Sequence, residues 1–330
     1  MARSIVKPEP ANTIEDYRNR NQFLHGPSGT QYSMIVHNGA YYQRRWQIGF
    51  DGDQTNIEEM RIDAVIGSGN HARSYLHRTA SGGYIELPLG WYAEKGGYWA
   101  MSPGFNSPHP ATRRLVSYRC VFCHGANQEI PAGHDAPGSA PIFSKDLAQG
   151  IDCQRCHGPG EKHVHLAHTA GAKLDKIRAS IINPVRLTPA LRMDLCMQCH
   201  LEPTSSALPS RIQRYDRGPF SFVPGEPLTN FLLVFDHAAG TGHDDKFEIV
   251  NSSAYRLRKS ACFLKSNGAM TCTTCHDPHG AEPPSYSNAC RQCHRGAFDT
   301  AVFAGKHPAA KECMTCHMPK RRTRMWYTPS

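Results

Sequence analysis

The sequence predicts a chain of two characters. An N-terminal antiparallel β-rich module covers residues 1–110, and mainly short α-helices and coil follow over 111–330. Three observations predict this. Alternating aromatic and β-branched residues flank an Asn38-Gly39 turn. Beyond residue 111, one short cysteine-histidine pattern recurs six times. Hydrophobic residues make up only 39% of 330, too few for a conventional core running the whole length.

Residues 1–27 read as polar and irregular, with a short helix near 14–22. The run Tyr32-Ser-Met-Ile-Val36, then Asn38-Gly39, then Tyr41-Tyr-Gln-Arg-Arg-Trp-Gln-Ile48 reads as a hairpin. Asparagine and glycine accept the positive φ that a two-residue turn demands. A second β-rich stretch runs from Tyr84 to Tyr92, followed by Gly96-Gly-Tyr-Trp-Ala-Met101. Turns and short strands are therefore expected over 28–104, without a covalent cofactor.

The repeated pattern is two cysteines, two residues apart, followed at once by histidine. Its copies are Cys120-Val-Phe-Cys123-His124, Cys153-Gln-Arg-Cys156-His157, Cys196-Met-Gln-Cys199-His200, Cys272-Thr-Thr-Cys275-His276, Cys290-Arg-Gln-Cys293-His294 and Cys313-Met-Thr-Cys316-His317. This is the attachment site of haem c. Two thiols one helical turn apart bond one edge of the porphyrin, and the adjoining imidazole becomes the proximal iron ligand. Zinc-binding cysteine pairs and redox dithiols give no role to the fifth residue. The second part of the chain is thus expected to be short helices and coil organised around six covalently bound haems. With about one haem per 55 residues, the macrocycles supply the core, and without them this part should not fold.

The formal charge is +9. Two propionates on each of six haems add about −12, leaving the loaded protein near −3. The basic balance is therefore no sign of nucleic acid or membrane binding, and the basic residues have propionates to pair with. Twelve of thirteen cysteines are claimed by haem, and Cys262 remains as an expected buried thiol. Haem c is attached outside the bacterial cytoplasm, so a periplasmic or extracellular location is expected. The first twenty residues have no apolar signal region, so a signal peptide is expected upstream of Met1. No stretch is long enough to span a membrane as a helix.

Helices are expected over 112–124, 189–200 and 254–264, and at each later motif. First cysteines are spaced 33, 43, 76, 18 and 23 residues apart, so the last three haems must be near neighbours. Thirteen histidines remain beyond the six proximal ones, enough to give most irons a second imidazole. His71, His163, His279 and His307 lie best for this, since they sit beside motifs or on the β module; His134, His237 and His243 are further candidates. Met101 reads as a core residue and Met318 as a packing one.

The run Cys153 to His157 with Gly158-Pro-Gly-Glu-Lys-His163-Val bears a resemblance, as does Ser260-Ala-Cys-Phe-Leu-Lys-Ser leading to Met270-Thr-Cys and His276-Asp-Pro-His279. So does the ending His317-Met-Pro-Lys. Together they resemble bacterial multihaem c-type cytochromes related to the tetrahaem electron carrier of ammonia oxidisers, and their relatives fused to tetratricopeptide repeats. Ile66-Gly-Ser-Gly-Asn-His-Ala, Leu87-Pro-Leu-Gly-Trp-Tyr and Trp99-Ala-Met-Ser-Pro-Gly104 are similar to the N-terminal region of that group. The resemblance implies a further motif upstream, hence a seventh haem, and a histidine-bearing tail downstream, so the chain looks cut at both ends.

Three functions compete. The first is electron transfer through closely spaced, mostly bis-histidine haems, with redox partners that are other cytochromes or a quinol-linked complex. The second is a multihaem oxidoreductase acting on a small nitrogen or sulfur compound at a five-coordinate haem. A lysine-ligated variant of the motif, typical of pentahaem nitrite reductases, is absent from the sequence. The third is a subunit of an extracellular haem wire, a homo-polymer or a larger complex. Haem density and the surplus of histidines favour the first.

Overall fold

In a computed structural model, described for residues 4–106, 113–136, 138–201, 211–235, 253–280, 286–308 and 312–318, the chain divides into two compact units. The first takes Met1–Ile182, Gln213–Pro224 and Tyr327–Ser330; the second takes Asn183–Ile212 and Gly225–Trp326.

The first unit is built on strands β1 (Ile5–Val6), β2 (Gln22–His25), β3 (Thr30–His37), β4 (Ala40–Ile48), β5 (Gln54–Arg61), β6 (Ala64–Ile66), β7 (Ala72–Arg78), β8 (Tyr84–Glu86), β9 (Leu89–Tyr92), β10 (Tyr98–Met101) and β11 (Arg114–Leu115). One antiparallel sheet runs β2-β3-β4-β5. The other runs β1-β6-β7-β8-β11, with β9 branching from β7 and β10 pairing β9. The Asn38-Gly39 hairpin forms as the sequence requires: His37 pairs Ala40, and Asn38 and Gly39 take φ of 52° and 73°. The run from Tyr84 to Tyr92 is not one strand. It breaks at Leu87-Pro88, where proline lacks the N–H a central ladder needs, and β9 leaves to pair with β10.

No helix forms at 14–22. The Asp16 carboxylate accepts from the backbone N–H of Arg18 and Asn19, both at 2.9 Å, a local turn that competes with helix. Glu15 beside it turns inward. Its carboxylate meets Arg73 at 3.2 Å, with both side chains 2% exposed, and accepts from the Tyr75 hydroxyl at 2.6 Å. Burial pushes the Tyr75 and Tyr17 hydroxyls well above their ordinary range. Around this pair Tyr32, Met34 and Tyr41 of the first sheet meet Val65, Tyr75, Leu89, Trp91, Trp99 and Met101 of the second in one core. Tyr17 packs edge-on to Tyr41 and Trp99, with ring centres 5.0 and 5.4 Å apart.

A second core joins Ile5, Ala64, Leu76 and Tyr84 of the sheet to Val116, Val121, Phe143 and Leu147. Val121 belongs to helix α1 (Tyr118–His124), which carries the first motif. The sequence-based boundary at 110 therefore falls inside one packed unit, because the first motif helix completes a core that the sheet begins. That helix starts at 118 and not near 112: Arg114 and Leu115 pair with β8, and Ser117 is extended. The first unit continues with α2 (Gln154–His157), α3 (Glu161–His168) and α4 (Leu174–Ala179).

The second unit holds α5 (Pro189–His200), α6 (Ser253–Lys259), α7 (Ala261–Lys265), α8 (Tyr286–Phe303) and α9 (Cys313–His317). Helix α5 spans the residues the sequence predicts. Thr188 caps it and Pro189 opens it, where a missing N–H costs nothing. The expected helix over 254–264 divides at Ser260, whose hydroxyl accepts from Phe263 N–H and starts α7 afresh. Among the described residues the second unit buries only Met193, Leu195, Leu228, Phe231, Leu232 and Ala254 as apolar side chains. Helices α7, α8 and α9 bury none. No described helix is long and apolar enough to cross a membrane.

Candidate haem attachment sites

Each motif includes a helical turn, and four of the six end their helix. Helices α1, α2, α5 and α9 all terminate at their motif histidine: His124, His157, His200 and His317. The third and sixth residues of α1 show how the attachment face is chosen. Val121 and Phe122 turn into the protein, while Cys120 and His124 stay exposed and Cys123 is half-buried. Motif five lies inside the long helix α8, with Cys290 one turn before the adjacent Cys293 and His294. Motif four is tighter: Cys272–Thr274 form a 3-10 turn that Cys275 closes, and His276 follows it. No two of the thirteen cysteines are joined by a disulfide.

Motifs meet in groups. In the first unit Arg155, which lies between the cysteines of motif two, is buried against Phe122, which lies between those of motif one. Its guanidinium sits 3.9 Å from the Phe122 ring centre and donates to the Phe122 carbonyl and to Asn127. In the second unit Cys272 of motif four lies 3.5 Å from Met193 Sδ. A hydrogen bond from Cys196 of motif three holds the Cys272 thiol at about 7, below the ordinary thiol range. Burial pushes Cys275 up, helped by the neighbouring sulfurs of Cys262, Cys272 and Cys293. Burial also raises Cys290, beside Cys313. Motifs five and six are tied by Ser287, which donates to Glu312 at 2.6 Å and accepts from Cys313 N–H at 3.1 Å. Ser287→Ala should cost about 1–2 kcal/mol locally. Hydrogen exchange at the Cys313 to Cys316 amides should then rise about tenfold; unchanged exchange would show that Ser287 does not hold α9.

The histidines sort by what their Nδ1 does. A backbone carbonyl can only accept, so an Nδ1 facing one carries the proton and Nε2 keeps the lone pair that metals bind. His157, the expected proximal residue of motif two, has this arrangement with the Ile182 carbonyl at 2.8 Å, and Ile182 N–H returns a bond to the His157 carbonyl. Among the expected distal residues, His163 faces Ile177 O at 3.0 Å, His134 faces Ala140 O at 3.2 Å and His307 faces Pro308 O at 2.9 Å. His71 and His279 are exposed, and His279 Nδ1 lies 4.0 Å from the Asp277 carboxylate. His71 is carried by the loop before β7. Gly67, with φ of 110°, lets that loop pass so close to Ala72 that a Cβ there would stand 2.4 Å from its carbonyl oxygen. His237 and His243 lie outside the described residues.

Two histidines that sequence reasoning did not single out have suggestive settings. His77 on β7 faces Arg61 O at 2.8 Å and so presents Nε2. His25 is 4% exposed, is bonded at Nδ1 to Ser28, and its Nε2 has no partner among the described residues. Nothing in their flanking sequence marks either. Cys262 is exposed and not buried, because it sits in the first turn of α7, which buries nothing. Met318 is 70% exposed and does not pack; it follows the last turn of α9. Met101 lies in the core of the β module.

These residues fit haem c better than a bare ion. No three histidine, cysteine, aspartate or glutamate side chains converge to hold an ion among the described residues, whereas haem iron brings its porphyrin nitrogens and needs only one or two side chains more. Arg291 Nε is buried without a hydrogen-bond partner among the described residues, a setting that suits an anionic propionate.

The chain is similar to the multiheme cytochrome MtrA of Shewanella baltica (strain OS185), at 21% identity over 214 residues, 63% of this chain and 54% of the relative. The match spans just over half the length of that relative. The likeness supports a relation to multihaem cytochromes in general and does not reach the ammonia-oxidiser group in particular. No family model matches the chain, and no solved structure does.

Proposed function

We propose that this chain is a multihaem c-type cytochrome of the periplasm or cell exterior. It holds six haems, mostly between two histidines, and exchanges electrons with other redox proteins. Bound haem supplies an iron that gains and loses single electrons. The chain's part is to fix each porphyrin by two thioethers, to orient the imidazoles through backbone carbonyls, and to keep the sites close.

Helix α8 carries this reading. It runs eighteen residues and buries no apolar side chain; only Ser287 is buried. A helix gains most of its stability by burying an apolar face, and motif five lies on this one. An apolar plate joined to Cys290 and Cys293 would give α8 the apolar partner that the described residues do not provide. The pairing of motifs through Arg155 and Ser287 supports short distances between sites within each unit. Similarity to a multiheme cytochrome supports the same class.

The test is intact mass together with low-temperature EPR of the oxidised holoprotein. The reading expects the mass of six added haems and only low-spin ferric signals. Fewer covalent haems than motifs would overturn the count. A high-spin signal that shifts on adding nitrite or hydroxylamine would move the protein to the enzymes.

A further inference from the structure

We infer that Arg155 and Arg211 hold up the reduction potentials of the haems they adjoin, by placing a fixed positive charge on the attachment turn of motif one and of motif three. This rests on the multihaem reading above and names two residues that set the energy of electron flow within it.

The two arginines occupy equivalent places. In α1 the last helical bond runs from Gly125 N–H to Val121 O, and in α5 from Leu201 N–H to Met197 O. Val121 and Met197 are each the second residue of a motif. The next carbonyl in each, that of Phe122 and of Gln198, comes one residue too late for a helical partner. A buried guanidinium takes each one. Arg155 donates to Phe122 O, and Arg211 donates to Gln198 O at 2.6 Å. Arg155 is 4% exposed and Arg211 8%. They reach the same carbonyl by unrelated routes. Arg155 comes from inside motif two, thirty-three residues downstream. Arg211 opens a short strand, Arg211–Gln213, thirteen residues after its target.

A cation at the negative end of a helix is favourable in itself. Here the accepting residue stands between the two cysteines, two places before the motif histidine. Ferric haem carries one positive charge more than ferrous haem. A buried cation alongside opposes that charge, in surroundings that screen it less than water does. A guanidinium keeps its proton throughout the working pH range, so the bias is permanent. Arg155 adjoins two motifs: it lies between Cys153 and Cys156, and its guanidinium sits 3.9 Å from the Phe122 ring centre and 5.7 Å from that of Phe220. It therefore acts on two haems, and Arg211 on one.

The experiment titrates the holoproteins of Arg155→Gln and Arg211→Gln by spectroelectrochemistry, with haem number read by intact mass and spin state by EPR. Glutamine keeps an N–H donor and loses the charge. Arg211→Gln should lower one one-electron component, raising its oxidised-to-reduced ratio at fixed potential about tenfold, equal to about 59 mV for one electron. Arg155→Gln should lower two. Lysine at either position keeps the charge without the planar fork, and should hold the parent potentials. A fully loaded, low-spin glutamine variant with every component unmoved overturns the inference. So does a lysine variant whose components fall as far as those of glutamine, which would mark a purely structural cap. Should a glutamine variant not take up its haems, Arg→Met at the same position serves, since it fills the space of the buried stem. Failure of the parent chain to carry covalent haem would be a failure of the multihaem reading, and mass separates that from an absent charge effect.

Discussion

Chain made in a host that attaches no haem should lose amide protection throughout residues 253–318, while β3, β4, β7 and β9 keep theirs. The two units differ in what they bury. The β module closes over Tyr32, Met34, Tyr75 and Leu89, each at most 1% exposed, and each such side chain contributes about 1.5–3 kcal/mol. Helices α7, α8 and α9 bury no apolar side chain, and α7 and α9, at five residues each, are far too short to stand alone in water. Conformational entropy of about 1–2 kcal/mol per residue then goes unopposed. Hydrogen exchange followed by mass spectrometry, with and without haem attachment, checks this. Equal protection of α8 in both preparations would mean that the helix has another source of stability.

Arg73→Ala should destabilise the β module by about 3–5 kcal/mol, because it strands the Glu15 carboxylate in the core. Both members of the pair are 2% exposed, and Tyr75 depends on the same carboxylate for its hydroxyl. Urea unfolding of the holoprotein, followed by exchange at the β7 and β9 amides, reads the loss. Removing both charges by Arg73→Met with Glu15→Leu should recover most of it, since no lone charge then remains. A single variant as stable as the parent would show that water reaches Glu15. One near-additive with Glu15→Leu would show that the two do not act as a pair.

The hairpin was legible because it depends on a few adjacent residues. Asn38-Gly39 dictates a turn by backbone sterics. Helix α5 was legible to the residue, since Thr188 and Pro189 mark its start and motif three its end. What failed depended on distant partners. The helix expected near 14–22 loses to Glu15, which is drawn to Arg73 fifty-eight positions away. The edge of the β module was placed at 110, since nothing local announces that Val121 will share a core with Ile5 and Tyr84. Cys262 and Met318 were given burial by residue type, yet both sit on short helices or ends with no apolar face. The settings of the candidate histidines were only partly legible. Proximity to a motif marked His163 and His307, but the carbonyl that sets each ring's proton comes from backbone geometry that the sequence does not spell out.

The packing of α1 on the sheet has a consequence for biogenesis. Its core contacts come from the protein itself, with Val121 fully buried and Phe122 nearly so, so this helix can take shape as soon as the sheet does. Cys120 and Cys123 then stand one turn apart on its outer face, within the span a disulfide bridges. On the function proposed above, in an oxidising compartment that pair would be in a race: either haem would reach it first, or the two sulfurs would join each other and have to be reduced before attachment. Motifs five and six lie on helices that bury no apolar side chain, so on the same reading they have no early fold to enter that race. Order of assembly would thus be written into the first site by its neighbours in the sheet.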